Sequence, residues 1–266
     1  MESSVIHILF VADIVGESGM RMLQECFRSI KEQHHIDICI ANGENAYGGK
    51  GLTAKTVEKL LDCGVDVITS GNHIWEKEYF QPKMDYFQAV LRPANYPKGN
   101  VGKGALVYEL KNSYKIGVLN LQGRIFMPPI DCPFKVGMDE IKKLKKSTNC
   151  IIVDFHAEAT AEKMAFAHYV DGTVSAVIGT HTHIQTADER ILPKRTAYIT
   201  DAGMTGPVDS VIGIDIQVAI RRFLYQIPVR YEVAGGDSQF NGVVITVDAL
   251  SGNAEKIERI SLIKCE

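Results

Sequence analysis

The sequence has no long apolar run, no paired cysteines and no large excess of charge of either sign. Within its 266 residues no uninterrupted apolar stretch is long enough to cross a bilayer, which excludes a membrane-spanning helix. The six cysteines are scattered and have none of the spacings of a zinc knuckle or a disulfide framework, so we expect buried thiols. A formal net charge of −3 provides no general basic field for a long nucleic acid, although a local basic patch could bind a small phosphate.

Internal repeats, low-complexity tracts and flexible linkers are also missing, so we expect residues 1–266 to form a single α/β domain. With 45% hydrophobic and 23% charged residues, the composition is that of a soluble globular protein. The segment from Met1 to His7 has neither the basic region nor the cleavage pattern of a signal peptide, which predicts a cytoplasmic protein. No pattern fixes the oligomeric state, and a homo-oligomer is left open.

Polar side chains that can bind a metal follow directly after several apolar, β-prone runs. In chain order these side chains are Asp13, Glu44, Asn45, Asn72, His73, His156, His181 and His183. Helical patterns follow most of the runs, as expected where strands and helices alternate. In α/β sheets the carboxyl ends of the strands meet at one edge, and ligands bind there. We therefore expect these side chains to converge on one site.

The side-chain types in this set predict two metal ions rather than one. Two carboxylates, two amides and four histidines exceed the needs of one divalent ion, and they suit two ions about 3.5–4 Å apart, as in phosphatases and nucleases. Such a pair needs a bridging carboxylate, for which Glu44 is the candidate because Gly43 and Asn45 flank it. Each member also has an ordinary alternative: Asp13 could cap a helix, and His181 with His183 could close a polar turn. Arg92 and Arg124 are candidates for phosphate contacts, with exposed surface as the alternative.

The order of these motifs resembles the calcineurin-like metallophosphoesterase superfamily, and within it the bacterial YmdB-like phosphodiesterases. The motifs that carry the resemblance are Asp13-Ile-Val-Gly16, Ala41-Asn-Gly-Glu-Asn45, Gly71-Asn-His-Ile-Trp75, Arg92-Pro-Ala-Asn-Tyr-Pro97, Asn120-Leu-Gln-Gly-Arg124, Asp154-Phe-His-Ala-Glu-Ala-Thr160 and Gly179-Thr-His-Thr-His183. Val15 stands where many superfamily members have a histidine ligand, and Glu44 replaces the usual bridging aspartate; both departures point to the YmdB-like subgroup. The resemblance implies a four-layer α/β/β/α sandwich, a di-iron or dimanganese centre, and hydrolysis of 2',3'-cyclic nucleotides to 3'-nucleotides.

The resemblance also implies a role for each side chain. One metal ion would be held by Asp13, Glu44, Asn45 and His183, and the other by Glu44, Asn72, His156 and His181. His73 would stay free of metal and act as the general acid, protonating the departing ribose oxygen while a metal-bound hydroxide attacks phosphorus. The ligand types accept iron, manganese or zinc, and the resemblance favours iron. The expected partner is a small phosphodiester, with neither a stable nucleic-acid complex nor a membrane.

Three other interpretations remain open from the sequence. A dinuclear amidohydrolase fits less well, because its His-x-His usually opens the chain, whereas here an aspartate comes first and the eightfold alternation of a barrel is missing. A phosphoesterase that acts on another small substrate would use the same ligands. A regulatory protein could hold a structural metal, but such a site is closed, whereas a catalytic site keeps an open coordination position.

Overall fold

A computed structural model describes residues 5–264, where thirteen strands form two sheets and five α-helices pack on them. The strands are β1 (Val5–Val11), β2 (Asp13–Ile14), β3 (Ile38–Asn42), β4 (Val67–Thr69), β5 (Ala105–Glu109), β6 (Lys115–Gln122), β7 (Cys150–His156), β8 (Ala176–Thr180), β9 (Arg190–Ile191), β10 (Ala197–Ile199), β11 (Met204–Pro207), β12 (Ser238–Asp248) and β13 (Ala254–Lys264). The helices are α1 (Gly16–Gln33), α2 (Ala54–Asp62), α3 (Pro133–Leu144), α4 (Thr160–Val170) and α5 (Ile216–Tyr225), with short 3-10 helices at Asn72–Trp75 and Gln81–Tyr86. Cys265 lies outside the described residues.

Both sheets combine parallel and antiparallel pairs. The first has the order β2-β11-β12-β1-β3-β4, with β13 paired to β12. In it β1, β3 and β4 run parallel, while β12 is antiparallel to β1. The second has the order β5-β6-β7-β8-β10-β9, in which β6, β7, β8 and β10 run parallel. Each sheet therefore gathers the carboxyl ends of its parallel strands at one edge.

Three hydrophobic cores separate the layers. Side chains alternate along a strand, so Ile8 of β1 packs in the core shared with Ile152 of the second sheet, whereas Leu9 packs in the core shared with Phe27 of α1. A third core joins the other face of the second sheet to α3 and α4, for example through Phe166. The mixed α/β class predicted from the sequence is confirmed. The three cores join, in turn, helices to the first sheet, the first sheet to the second, and the second sheet to helices.

The apolar pattern of the sequence predicts a helix from about Gly19 to Gln33, and helix α1 ends at Gln33 but begins three residues earlier, at Gly16. Its N-cap is Val15, so Asp13 does not cap this helix and is available for another role. The apolar residues Leu23, Phe27 and Ile30 follow one another at intervals of four and three residues, about one helical turn, and form the buried face that packs on the first sheet. Gly19 is required here, because an added Cβ would lie 2.3 Å from the carbonyl oxygen of Thr205 in β11.

Two other sequence-based predictions differ from the structure. The sequence pattern predicts a helix from Met138 to Lys146, but α3 begins at Pro133, because proline is well suited to the first turn of a helix. The β-branched residues of Val229–Val233 predict a strand there, but this prediction is wrong: in this segment only Val233 makes a bridge, an isolated one with Ile214. The segment lies in the long excursion between β11 and β12, where the described residues form no strand along which it could pair. Across residues 5–264, none of the helices combines the length and the apolar character needed to span a bilayer.

Candidate metal centre

The predicted ligands lie together where the parallel strands of the two sheets end. Glu44 and Asn45 follow β3, His156 ends β7, and His181 and His183 follow β8. Contacts between side chains from different elements link them, such as 3.1 Å between Glu44 Oε1 and His156 Nε2 and 3.3 Å between Asp13 Oδ2 and His183 Nε2. Asn72 lies in the 3-10 helix after β4, directly next to Gly71, which packs against His156. The strand topology thus gathers residues that are up to 170 positions apart in the sequence.

Glu44 occupies the middle of the cluster and is almost completely buried. Its Oε1 lies 3.1 Å from His156 Nε2 and 3.2 Å from Asn45 Nδ2. Its Oε2 accepts a hydrogen bond of 3.2 Å from the backbone N–H of His73. Burial opposes ionisation of this carboxyl, but the adjacent His156 holds its pKa well below the usual range. Glu44 is therefore a buried carboxylate in contact with side chains on both sides of the site.

The proton positions on two imidazoles follow from their hydrogen bonds. His183 Nδ1 lies 2.8 Å from the carbonyl oxygen of Ile212, and because a carbonyl can only accept, Nδ1 carries the proton. The other nitrogen, Nε2, then presents a lone pair to Asp13 Oδ2, which also has only lone pairs to offer. Two lone pairs that face each other at 3.3 Å repel unless a cation or a proton lies between them.

The hydrogen bonds of His156 likewise show which of its ring nitrogens faces the metal cluster. Asp154 is buried and accepts hydrogen bonds from the Thr180 hydroxyl at 2.7 Å and from the Asn42 amide at 2.9 Å. Because Thr180 donates to Asp154, its oxygen accepts from His156 Nδ1 at 2.9 Å, which leaves Nε2 of His156 directed at Glu44. Burial acts to lower the pKa of His156, but the carboxylates of Glu44 and Asp13 raise it to about 9. The space between Glu44 and His156 therefore attracts positive charge strongly.

His181 completes this side of the cluster. Its Nδ1 lies 3.0 Å from His156 Nε2, and its Nε2 lies 3.1 Å from Glu158 Oε2. Burial and the neighbouring His156 lower the pKa of His181 to about 3, so the ring is neutral near pH 7, as metal ligation requires. His181 and His183 both have left-handed backbone conformations, with φ of 101° and 66°. Such conformations are costly for residues other than glycine and cluster at functional sites.

Several buried oxygen atoms fit metal ligation. Asp13 Oδ1 and Asn72 Oδ1 are buried, and neither has a hydrogen-bond partner among residues 5–264. Burial raises the pKa of Asp13 well above its usual value, so ionisation of this carboxyl calls for a compensating cation. The ligand atoms of Glu44, His156 and His181 lie within 4.8 Å of one another. This mixture of imidazole and oxygen ligands suits iron, manganese or zinc.

Asn45 fits metal ligation less directly than the other members of the set. Its Nδ2 points at Glu44 Oε1 and at His183 Nε2, while its Oδ1 lies 2.7 Å from His73 Nδ1. An amide binds a metal through its oxygen, so ligation requires the amide to turn over. The turned amide would place Nδ2 near His73 Nδ1, and Glu44 Oε1, which lies 3.3 Å from Nδ1, would then be the acceptor that faces this nitrogen.

A pocket of about 290 Å³ opens onto the cluster. His73 lines it, as do Glu158 and three apolar side chains from the excursion between β11 and β12: Ile212, Ile214 and Tyr231. Sequence analysis missed these three, because neither their types nor their spacing signals chemistry. Glu158 could have been identified from the sequence, since it lies two residues after His156 in the same motif.

The two arginine candidates have different surroundings. Arg92 is neither solvated surface nor a phosphate contact, because its buried guanidinium donates to the backbone carbonyl oxygens of Val101, Pro93 and Asn100. The side chain of Arg124 is exposed, and its backbone N–H donates to the Glu162 carboxylate. Arg92 is therefore a structural residue, while a phosphate contact by Arg124 stays a prediction.

Two packed sheets that present carboxylates, amides and histidines at their strand ends are the arrangement of the calcineurin-like metallophosphoesterase superfamily. Residues 9–260 match the family model for YmdB-like proteins, and the chain belongs to this family. A 2',3'-cyclic-nucleotide 2'-phosphodiesterase from Bacillus subtilis is 49% identical over 255 residues, which cover 96% of each chain. A putative phosphatase/phosphodiesterase from Mycoplasma pneumoniae is 38% identical and covers 97% of this chain and 94% of its own. A crystal structure of a novel phosphatase from Mycoplasma pneumoniae has a TM-score of 0.92 at 37% identity and covers 98% of this chain and 95% of that one.

Proposed function

We propose that this protein is a dinuclear-metal phosphodiesterase that hydrolyses 2',3'-cyclic nucleotides to 3'-nucleotides. The observation that carries the proposal is the convergence of carboxylate, amide and imidazole side chains around the buried Glu44. The choice of substrate is supported by the Bacillus subtilis relative, which is a 2',3'-cyclic-nucleotide 2'-phosphodiesterase and is 49% identical. A single domain and a cytoplasmic location belong to the same proposal.

In this proposal the cluster would hold two metal ions, with Glu44 contributing to both sites. One ion would be held by Asp13, Glu44, Asn45 and His183, and the other by Glu44, Asn72, His156 and His181. The contacts of Asp13 with His183 and of Glu44 with His156 support this division, because each contact favours a positive charge, either a proton or a metal ion, between the two side chains. Iron is the favoured metal, and manganese and zinc accept the same ligands.

The bound ions would neutralise the charge of the phosphodiester and activate a water molecule for attack on phosphorus. His73 would act as the general acid that protonates the leaving group. Its ring lines the pocket and is about one-fifth exposed, so it can reach a substrate oxygen. The carboxylate of Glu44 lies 3.3 Å from Nδ1 and can orient the ring, which leaves Nε2 to deliver a proton to the departing ribose 2'-oxygen. Breaking the bond to the 2'-oxygen leaves the phosphate on the 3'-oxygen, so the product is a 3'-nucleotide.

The open pocket favours catalysis over a purely structural metal site. Closed structural sites leave no position for water or substrate, whereas here a pocket reaches Glu44, His181 and His183 from the surface. Its apolar wall of Ile212, Ile214 and Tyr231 suits the organic part of a small substrate. Hydrolysis of another small phosphodiester by the same residues is the second candidate, and the choice of substrates in the assay separates the two.

The decisive experiment is anaerobic, metal-replete hydrolysis of 2',3'-cyclic AMP, with 2'-AMP and 3'-AMP resolved by chromatography. We expect 3'-AMP as the product. His73→Ala should lower kcat by about 10²- to 10⁴-fold, the usual contribution of a general acid, with the metal content unchanged. His168→Ala is the matched control, because His168 lies exposed on α4 and should leave both quantities unchanged.

Each part of the proposal can fail separately. A fully metallated protein that does not cleave the cyclic nucleotide would eliminate this substrate, and a panel of other phosphodiesters would then test the second candidate. Loss of metal from His73→Ala would show that His73 is a ligand rather than the proton donor. Formation of 2'-AMP would place the leaving group on the other ribose oxygen.

A further inference from the structure

Tyr231 lines the pocket that opens onto the metal cluster. Among the described residues, it is the only phenylalanine, tyrosine or tryptophan in the lining of this pocket. The same lining includes Glu44 and His73, so the phenol ring shares its space with a proposed metal ligand and the proposed proton donor. Burial, together with the charge of Glu44, raises the pKa of Tyr231 to about 12, so the phenol stays neutral near pH 7. The ring therefore presents a neutral aromatic surface beside a strongly charged centre.

The ring of Tyr231 is held in place by its neighbours. Lys50 Nζ lies over the ring, 5.5 Å from its centre. The backbone of Gly49 packs against the ring edge, because an added Cβ on Gly49 would lie 2.3 Å from Cε1 of Tyr231. The chain next to Tyr231 is tied to the start of α5, since the backbone N–H of Asp215 donates to the carbonyl oxygen of Glu232 at 2.9 Å. A ring that is fixed before a ligand arrives loses little freedom on binding, which favours affinity.

The side chains around the ring match a flat aromatic group of a ligand. Ile212 and Ile214 line the same pocket and form an apolar wall with Tyr231. Apart from the proposed metal ligands and proton donor, the described polar residues in the lining are Glu158 and Thr182. Every nucleobase has a π-face and can stack on an aromatic side chain, whatever donors and acceptors its edge carries. The wall therefore suits any nucleobase without hydrogen bonds to the edge of the base.

We infer that Tyr231 is the platform on which the base of the nucleotide stacks. In a 2',3'-cyclic nucleotide a single ribose ring separates the base from the phosphate. A phosphate bound at the metal cluster therefore places the base in the same pocket of about 290 Å³, whose apolar wall includes Tyr231. Lys50 covers one face of the ring, which leaves the opposite face for the base. The inference rests on the proposed function and specifies how the organic part of its substrate is recognised.

Recognition by stacking predicts a modest preference among bases. Purines offer a larger π-face than pyrimidines, so we expect adenine and guanine nucleotides to bind more tightly than those of cytosine and uracil. A site that read the edges of the base through hydrogen bonds would discriminate far more sharply. We therefore expect all four 2',3'-cyclic nucleotides to be substrates, with the lower KM values for the two purines.

The test is the affinity of the metal-loaded protein for 3'-AMP and for methyl β-ribofuranoside 3-phosphate, which lacks the base, measured by titration calorimetry. Tyr231→Leu should raise the Kd of 3'-AMP about 5- to 150-fold, the usual contribution of a stacked base, and leave the Kd of the ligand without a base unchanged. Tyr231→Phe keeps the ring and should bind 3'-AMP like the wild type. Tyr86→Leu is the matched control, because Tyr86 is 82% exposed and ends the 3-10 helix Gln81–Tyr86, outside the lining of this pocket.

Circular dichroism and elemental analysis check that each variant is folded and metallated, and Tyr231→Met replaces Tyr231→Leu if the latter does not fold. The inference is overturned if the variant without the ring binds 3'-AMP as tightly as the wild type, or if it loses affinity for both ligands equally. A loss as large in Tyr231→Phe would show that the hydroxyl is the contact, and would overturn stacking as well. A wild type that binds neither ligand would also refute the inference. Binding of 3'-AMP with the expected pattern but without hydrolysis of 2',3'-cyclic AMP would refute the proposed function alone, because calorimetry does not depend on turnover.

Discussion

The ion pair of Lys163 with Asp201 is the interaction whose loss we expect to be most costly outside the metal centre. Lys163 Nζ lies 2.7 Å from Asp201 Oδ2, and neither side chain has any exposed area. The same oxygen accepts a hydrogen bond of 3.0 Å from the backbone N–H of Thr182, the residue between His181 and His183. The pair therefore anchors the turn that carries two of the proposed ligands.

Lys163→Met keeps most of the volume of the side chain and removes its charge. Within residues 5–264, the buried carboxylate of Asp201 then keeps only the hydrogen bonds that backbone N–H groups donate, among them those of Thr182 and Gly203. Removing one partner of a buried ion pair costs about 3–5 kcal/mol of unfolding free energy. For a chain of 266 residues this corresponds to a decrease in Tm of about 5–9 °C.

Chemical denaturation and calorimetry of the apoprotein measure this loss. The double variant Lys163→Met/Asp201→Asn removes both charges and should recover at least half of it, because the asparagine oxygen can still accept from Thr182. Lys256→Met is the control: it breaks an exposed ion pair with Glu258 and should cost at most about 1 kcal/mol. The reasoning is wrong if Lys163→Met lowers the unfolding free energy no more than the control does, or if the double variant is no more stable than the single one. Either result would show that an unpaired buried charge does not explain the contribution of this pair to stability.

Three further predictions concern other residues around the centre. Gly71→Ala would place a Cβ 2.2 Å from His156 Nε2 and 2.3 Å from Glu44 Oε2. We therefore expect loss of bound metal by elemental analysis and at least a 100-fold decrease in kcat/KM. Full metal content in this variant would contradict the close approach of these side chains to Gly71. Thr180→Val removes the hydroxyl that accepts from His156 Nδ1, and it should weaken metal affinity about 10- to 100-fold in a metal titration. Thr180→Ser keeps the hydroxyl and should restore the affinity. If the valine variant binds metal as tightly as the wild type, the proton positions assigned here are wrong. Arg92→Met should lower the unfolding free energy by about 1.5–3 kcal/mol and leave KM unchanged, because the guanidinium of Arg92 binds backbone carbonyls. A raised KM at unchanged stability would instead show that Arg92 contacts the substrate.

The positions of the proposed ligands could be predicted because they depend on local sequence. The strands that precede the proposed ligands are apolar runs, and a turn residue follows two of them closely: Gly43 directly after β3 and Gly71 two residues after β4. A polar residue just after such a run must lie at the carboxyl edge of its sheet. The helix ends were predicted less well, because capping and proline placement move them by several residues, as at Pro133 of α3.

Partners that are distant in the sequence could not be predicted in this way. Asp154 lies within the apolar run of β7, and a charge in such a run signals a buried polar contact. The hydroxyl of Thr180 meets Asp154 only when β8 pairs with β7, and the amide of Asn42 meets it only when the two sheets pack together. Lys163 lies on a helix, where a lysine is usually exposed, and only tertiary packing shows that it reaches Asp201.

The sequence by itself determined the α/β class and the kinds of side chain that reach the strand ends, because alternation, turn residues and strand length are local properties. Tertiary structure decided which of these side chains touch, which nitrogen of His156 and His183 carries the proton, and which apolar residues line the pocket or remain on the surface of α5. These features depend on contacts between segments far apart in the chain, and their distances and burial are set only when the two sheets and their helices pack.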